Sequence, residues 1–462
     1  MSTKMMAHNK FATFDPNVRM YASWDPETVE PWIYTDWIDE TMSWKESCYI
    51  HVFLSGATVK YVVKGPDAEK LMSDTFVNGF TLDKFKVGRT KHAIACSPDG
   101  NVAMHGVCMR TAEDEFVTYG LDPHVPMQVF SGKYNVEVKE LNYSDNFIFQ
   151  VAGPRSLELV ENAMKEDIHD LPFMGFRYGK IAGRDMDVLR MGMAGTLAYE
   201  LHGSADDAEA IYNEIVRVGK KYGLRRLGLL SYMSSHTENG FPQWGTHFIP
   251  SWHNDPACRK YFGLDDEDAE FSYWGKKPED IELHGSMSDQ GLDAYLANPI
   301  ELGWKHMINW NHDFVGKEAL LKIKEDPRTR GICSLEWNAE DILKIFAAYY
   351  DDQPDLPDMM MYPQNYFFAS DGNLSDKVLD ADGKLVGRST GICYTRYYKK
   401  TISLGILDPE QLVEGKELTL IWGTAGTRQI PIRVKVSRYP YLDLASNKDF
   451  DLETIPHYQP EA

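Results

Sequence analysis

Residues 1–45 mix aromatic, acidic and Pro positions with little periodicity, and read as an arm lying across the body of the protein. Regular patterning starts after them. A strand is predicted over 58–63, then a Gly65-Pro66-Asp67 turn and a helix over 68–73, which Asp67 can cap by accepting backbone N–H bonds. Apolar runs over 92–96 and 102–109 flank Ser97-Pro98-Asp99-Gly100; Asp-Gly between such runs predicts a hairpin, because both residues tolerate positive φ. Another strand is predicted over 116–119. The order then repeats, with a strand over 147–151, the turn Ala152-Gly153-Pro154 and a helix over 157–164. Both turns use Gly for unusual dihedrals and Pro to start a helix, so the two segments are either an internal echo or two chance matches. A strand over 185–190 follows, then an amphipathic helix over 205–222 with Ile211, Ile215 and Val218 on one face.

Residues 250–298 break the pattern. They are acidic, aromatic and turn-rich (Asp265-Asp266-Glu267-Asp268, Tyr273-Trp274-Gly275) and read as an insert serving as a lid, a subunit contact or a mobile segment. Strands return over 331–337, 387–394, 401–406 and 417–421, with hairpin turns expected at Asp382-Gly383 and Glu414-Gly415. This part reads as a separate β-rich C-terminal domain.

Composition narrows the function classes. The 462 residues carry a formal net charge of −21, which argues against a nucleic-acid backbone as partner. No run approaches the roughly 18 apolar residues that span a bilayer, and the first residues lack an apolar signal core, so a cytoplasmic protein is expected. The six cysteines are scattered without a CxxC pair, as suits reduced thiols. The 25 Tyr and 11 Trp supply core, and also walls for a flat ligand. GxGxxG after a strand, a Walker loop, HExxH and GxSxG are all absent. The 14 His do not pair at metal spacing, so no metal is expected. The residues by themselves stop at a soluble α+β enzyme with an aromatic pocket.

An ordered series of segments carries more. They are Lys64-Gly65-Pro66-Asp67-Ala68 with Ser73-Asp74-Thr75; Ser97-Pro98-Asp99-Gly100-Asn101-Val102; Val151-Ala152-Gly153-Pro154; Arg190-Met191-Gly192-Met193 with Gly195 and Tyr199-Glu200-Leu201; Glu238-Asn239-Gly240-Phe241 with Trp244-Gly245; Asn298-Pro299 with Gly303-Trp304; and Asp313-Phe314-Val315-Gly316-Lys317-Glu318-Ala319-Leu320. Ser389-Thr390-Gly391, Lys400, Leu404-Gly405 and Gly415-Lys416-Glu417-Leu418 continue it. Together they resemble the glycine-cleavage T-protein (aminomethyltransferase) superfamily over most of residues 45–440. The length, the insert and the segment 343–366 are most similar to its tetrahydrofolate-dependent aromatic O-demethylases, the vanillate and syringate type. The resemblance implies an α+β fold: a three-domain ring with two interleaved α/β domains and a β-barrel-like C-terminal domain around a folate channel. It divides the chain into the arm 1–45, a folate-binding region 46–325 with the insert 250–298, and the C-terminal domain 326–462. Tetrahydrofolate would accept the carbon.

By the same resemblance Glu200 holds the pterin, a carboxylate accepting two hydrogen bonds from the amino group and ring N–H. Tyr199 and Trp244 line the folate or, equally, pack in the core. His236 replaces a folate-holding Arg. Two departures set the chain apart. Met104 and His105 stand where aminomethyltransferases carry an Asp pair, which argues against glycine cleavage. Leu121 follows Tyr119-Gly120 where vanillate-type enzymes carry a carboxylate-binding Arg, so the substrate is expected to lack a carboxylate there. The family's His-Met doublet is replaced by Leu54-Ser55-Gly56. The leaving phenolate needs a proton. Tyr21, His105 and His247 are the candidate acids, each with a structural hydrogen-bonding role as the alternative; Cys108 is assigned to the core.

The implied reaction is cleavage of a small aromatic ether, with O-demethylation of a methoxy-aromatic leading. Opening of a methylenedioxyphenyl ring to give methylene-tetrahydrofolate is the first alternative. A demethylase of methylamines or sulfonium acids, and a non-catalytic folate-binding protein, are the others.

Overall fold

The computed structural model describes residues 17–22, 30–52, 59–142, 145–263, 281–354, 356–357, 359 and 374–460. Leu54-Ser55-Gly56, the acidic run 265–268, Tyr273-Trp274-Gly275 and most of 355–373 lie outside the described residues.

Strands β1 (Met20–Ala22) and β2 (Glu30–Ile33) form an antiparallel ribbon. The end of the segment read as an arm is helical: α1 (Trp37–Glu46) starts where the Asp36 side chain accepts bonds from the Ile38 and Asp39 amides. Strand β3 (Cys48–His51) follows.

The first large unit runs β4 (Lys60–Lys64), α2 (Ala68–Thr75), β5 (Arg89–Cys96), β6 (Val102–Ala112), β7 (Glu115–Tyr119), α3 (His124–Phe130) and β8 (Glu137–Leu141). Its sheet has the order β5-β6-β7-β4-β8. The second runs β9 (Asn146–Ala152), α4 (Ser156–Met164), β10 (Phe176–Ile181), β11 (Arg184–Leu189), β12 (Ala198–Ser204), α5 (Ala208–Gly219) and β13 (Leu224–Arg226), with the order β10-β11-β12-β9-β3-β13. The two units therefore share one topology, except that β3 is slotted between β9 and β13. The echo extends to the turns. Gly65 and Gly153 have φ of 139° and 123°, and a Cβ on either would sit 2.7 or 2.4 Å from a backbone oxygen, of Asn135 and Ser47 respectively. Two details depart from expectation. Pro66 and Pro154 lie in the turns ahead of the helices, and Asp67 makes no side-chain cap bond; its carboxylate accepts the Asn135 amide instead, at 2.8 Å.

Helix α6 (Leu229–Glu238) is buried at every position although more than half its residues are polar. It passes through the middle of the molecule, so each polar side chain needs a partner. At its start the buried Glu40 of α1 accepts from the Gly228 amide and the Ser231 hydroxyl with one oxygen, and from the Tyr34 and Thr35 amides with the other. At its end Glu238 pairs with Lys45 at 2.5 Å and accepts from Trp44 Nε1 at 3.0 Å. Within the insert, α7 (Pro256–Phe262) is capped by Asp255, and α8 (Lys317–Glu325) follows further on.

The C-terminal part closes a six-stranded barrel from β14 (Gly331–Trp337), β15 (Asp376–Leu379), β16 (Leu385–Thr395), β17 (Lys400–Leu407), β18 (Glu417–Trp422) and β19 (Ile430–Ser437), with α9 (Ala339–Ala348) after β14. The ladder order is β14-β17-β16-β15-β18-β19. Asp382-Gly383 does join a paired hairpin, β15 to β16. Glu414-Gly415 does not, because β17 and β18 are not neighbours; the turn ends a crossover. The α+β class with a closed C-terminal barrel is thus the fold. Among the described residues no helix is long and apolar enough to cross a membrane.

Candidate active site

Strand alternation decides which residues of β12 can share a site. Tyr199 and Leu201 face the core under α4 and α5, packed with Leu157, Val160 and Ile211. Glu200 and His202 face the other way, toward the first sheet. Tyr199 therefore does not line a pocket with Glu200; of its two readings, core packing is the one its position fits.

Glu200 is 2% exposed and held on three sides. Gln150 of β9, its cross-strand partner, donates to Oε1 at 2.8 Å. The Tyr119 hydroxyl, at the end of β7 in the other sheet, donates to Oε2 at 2.5 Å, and His202 Nε2 donates to the same oxygen at 3.1 Å. Burial alone would raise the carboxyl, but the bonds from His202, Gln150 and Tyr119 together hold it below its ordinary value. Lys60 of β4 faces the same cluster: burial brings its ammonium down to about 8 against the pull of Asp187 and Glu200. Three of the roughly four acceptor sites on the carboxylate are taken. One on Oε1 is left, and the neighbouring Gln150 Oε1 is buried without a partner.

A second cluster sits on the β5–β6 hairpin. His105 Nδ1 and His92 Nε2 are 3.0 Å apart, and His92 Nδ1 lies 3.2 Å from the Met307 sulfur. Sulfur is only an acceptor here, so His92 donates to it and receives the Nδ1–H of His105. His105 Nε2 is then a bare lone pair, and it is buried without a partner. Phe241, Phe248 and Trp304 surround this ring at centroid distances of 6.0, 5.9 and 4.9 Å. Burial, with His92 and His236 nearby, holds His105 well below the usual imidazole range, and burial takes His92 down to about 3. Both rings are neutral at pH 7.

Helix α6 joins the two clusters. Tyr232 stacks on His51 at 4.0 Å, lies edge-on to His236 at 5.3 Å, and has its hydroxyl near Gln150. His236 donates Nδ1–H to the Phe241 carbonyl at 3.0 Å, fixing one wall of the aromatic cluster.

The other candidates fall elsewhere. His247 is fully engaged: the Gln243 amide donates to Nδ1 at 3.0 Å, and Nε2–H reaches Thr237 Oγ1 at 3.1 Å, whose hydroxyl bonds the Gly391 carbonyl at 2.7 Å. A Cβ at Gly391, φ 66°, would lie 2.3 Å from His247 Nε2, so the β16 bulge and this histidine are built against each other. With no lone pair left, His247 sits in a structural hydrogen-bond network, the alternative role given to it from the sequence. Tyr21 lies on the β1 ribbon, 44% exposed. Trp244 packs with Met104 and Trp252 on one side and against the group containing Phe248 and Trp304 on the other. Leu121 is in the core under α2 and α3, and Cys108 with it, as expected for Cys108. His92 and Gln150 were given no role from the sequence, and Phe241, Trp304 and Tyr119 were named only within motifs. Only His92 had a signal: the Asp99-Gly100 hairpin sets a register that puts it diagonal to His105.

The GCVT N-terminal domain family matches residues 27–254. Sesamin methylene transferase of Sinomonas sp. (strain No.22) is 37% identical over 92% of this chain and 93% of its own length. Syringate O-demethylase of Sphingobium sp. (strain NBRC 103272 / SYK-6) is 28% identical over 89% of this chain and 90% of its own. The crystal structure of glycine cleavage system aminomethyltransferase T from Bartonella henselae superposes with a TM-score of 0.64 at 14% identity, covering 92% of this chain and 95% of that one, which shows the shared fold. This chain belongs to the GCVT family, the glycine-cleavage T-protein superfamily.

Proposed function

We propose that this protein is a tetrahydrofolate-dependent one-carbon transferase that cleaves a small aromatic ether. The observation that carries the reading is the pair of linked clusters: a buried carboxylate anchor at Glu200 and, across α6, a neutral His105 with a free Nε2 in an aromatic cluster. Tetrahydrofolate supplies an amine nitrogen that takes up the carbon. The protein's polar atoms fit its pterin edge, whose amino group and ring N–H need two acceptors: Glu200 Oε1 and the unpartnered Gln150 Oε1 provide one each. This replaces the expectation that Glu200 alone makes both bonds. The folate anchor belongs to the region 46–325, with 326–462 as the barrel domain behind it.

His105 then acts as a relay. Its lone pair would hold the proton released by the carbon transfer and return it to the departing phenol oxygen, so that no net proton is consumed. A low proton affinity suits this step: the ring stays neutral until the reaction supplies a proton and releases it readily. Phe241, Phe248 and Trp304 offer faces for the aromatic donor and exclude water.

A methylenedioxyphenyl donor is the second reading. It is favoured by the greater identity to the sesamin enzyme than to the syringate enzyme, and by the uncharged rings around His105. The six free, buried cysteines fit a reducing cytoplasm. Incubation with tetrahydrofolate and a panel of methoxy- and methylenedioxy-aromatics, with folate products read by mass, tests the assignment. Methyl- or methylene-tetrahydrofolate with the matching phenol is expected; no folate product from any aromatic ether would overturn it.

A further inference from the structure

The insert helix α7 brings together three potential metal ligands that neither the transfer chemistry nor the folate anchor uses. Asp255 and Cys258 occupy its N-cap and N3 positions, which helical geometry places side by side. Asp255 Oδ1 caps the helix, accepting from the Ala257 amide at 2.8 Å and the Cys258 amide at 3.4 Å. Its second oxygen is left to face the Cys258 sulfur at 3.5 Å. From the first repeat, His124 at the start of α3 points Nε2 at the same sulfur, 3.6 Å away. All three ligand atoms lie within 4.8 Å of one another, and His124, Asp255 and Cys258 are 3%, 5% and 0% exposed.

We propose that His124, Asp255 and Cys258 form a zinc site that staples the insert to the first repeat. The two sulfur distances are those of a tetrahedral ion, and the His124–Asp255 edge, within 4.8 Å, closes to complete it on binding. With bonds of about 2.3 Å to sulfur and about 2.0–2.1 Å to imidazole nitrogen or carboxylate oxygen, the sulfur lies about 3.5–3.6 Å from each of the other two ligand atoms. The donor set is the mixed N, S, O type that zinc favours, and a thiolate and a carboxylate neutralise a dication buried beside Met104, Trp252 and Phe262. In the metal-free state these groups are joined only through the sulfur of a thiol, a weak donor and a weak acceptor. Binding replaces the Cys258 S–H with an S–metal bond and releases one proton to solvent. The fourth tetrahedral position is left to water. A spacing rule could not find the site, because His124 comes from a different repeat.

The test uses the full chain and does not depend on what the enzyme turns over. Zinc is measured by elemental analysis after dialysis in metal-free buffer, and cobalt(II) is titrated into the stripped protein while thiolate-to-cobalt absorption is followed. The expected result is one zinc per chain, a stoichiometric thiolate band, and a melting temperature raised by added zinc. Cys258→Ser and His124→Gln should abolish the band and weaken zinc about a hundredfold or more. Asp255→Asn should weaken it while keeping the helix cap, since Asn caps as well as Asp; this variant separates lost ligation from lost folding. His457→Ala, in the Asp167, His169 and His457 group, should leave the band intact. Zinc content equal in wild type and Cys258→Ser, or a cobalt complex without thiolate absorption, would overturn the proposal.

Discussion

The two repeats use the same strand order for opposite purposes. In the first, the chemistry sits on the hairpin β5–β6, which carries His92 and His105. In the second, it sits on the inner pair β9–β12, which carries Gln150 and Glu200. The counterpart of β5–β6 is β10–β11, and that hairpin is a surface feature: Lys180 pairs with Asp185 at 2.5 Å, with both side chains more than half exposed. Such a pair contributes little. What separates the two hairpins is the covering. Phe241, Phe248 and Trp304 lie over the first and remove water from its histidines. The duplicated scaffold offers equivalent positions, and the chain packed across each one decides whether it becomes a site.

The comparison predicts a division of labour, with turnover assigned to the first repeat and folate affinity to the second. The largest effect is expected at His105. His105→Asn should lower kcat by about 10²–10⁴, the range for a lost acid–base group, with folate affinity nearly unchanged. A variant that binds folate poorly and turns over normally would break the division. Next comes Glu200→Ala, which should cost about 1.5–3 kcal/mol for each charged hydrogen bond to folate, seen by calorimetry as weaker tetrahydrofolate binding. Unchanged affinity in a folded variant would remove the anchor from the second repeat.

Matched acid and neutral analogues should show a smaller difference. Arg110 is committed to the Phe80 and Phe85 carbonyls and to Glu69, and Arg89 to the Phe173 carbonyl, so neither is at hand to receive a substrate carboxylate. Neutral methoxy- or methylenedioxy-aromatics should outperform vanillate and syringate, mainly in KM, because the acid loses hydration without gaining a cation. Equal turnover of the acids would show that a cation reaches the pocket.

The smallest effect per residue is on stability. Burial takes His51, His202 and His236 down to about 4, and His92 to about 3. Between these values and the ordinary 6.5 the unfolded chain binds more protons than the folded one, so stability rises with pH across that window and is lost on acidification. Each group contributes at most about 1.4 kcal/mol per pH unit. Melting temperatures from pH 7 to pH 5 should fall, and a flat profile would mean that these rings are not buried neutral.

Much of the fold was legible because its signals are local. The Asp99-Gly100 hairpin and the Gly65 and Gly153 turns depend on backbone conformations that few residues adopt, and β14 follows its apolar run to the residue. Helix α1 was not legible: it buries Glu40 and Lys45 against Ser231 and Glu238 of α6, nearly two hundred residues on, and Thr41 and Ser43 against its own carbonyls, so it shows no apolar stripe. The site was half legible. Glu200 and His105 were named through the family resemblance, while Gln150, Tyr119 and Trp304 read as ordinary strand or core residues until the sheets met. His247 and Tyr199 kept two readings each, because a histidine in a loop and a tyrosine beside a glutamate carry no mark of which way they face.

The slotting of β3 between β9 and β13 puts a clock on biosynthesis. Cys48 leaves the ribosome early, but its parallel partner Leu224 is made only at the end of the second repeat. At roughly 5–20 residues per second, that interval is on the order of ten to thirty seconds. Through all of it a strand rich in apolar residues waits with an unsatisfied edge, and the second sheet cannot close. Slow synthesis or an early pause should therefore raise the demand for chaperones more than any defect in the barrel would.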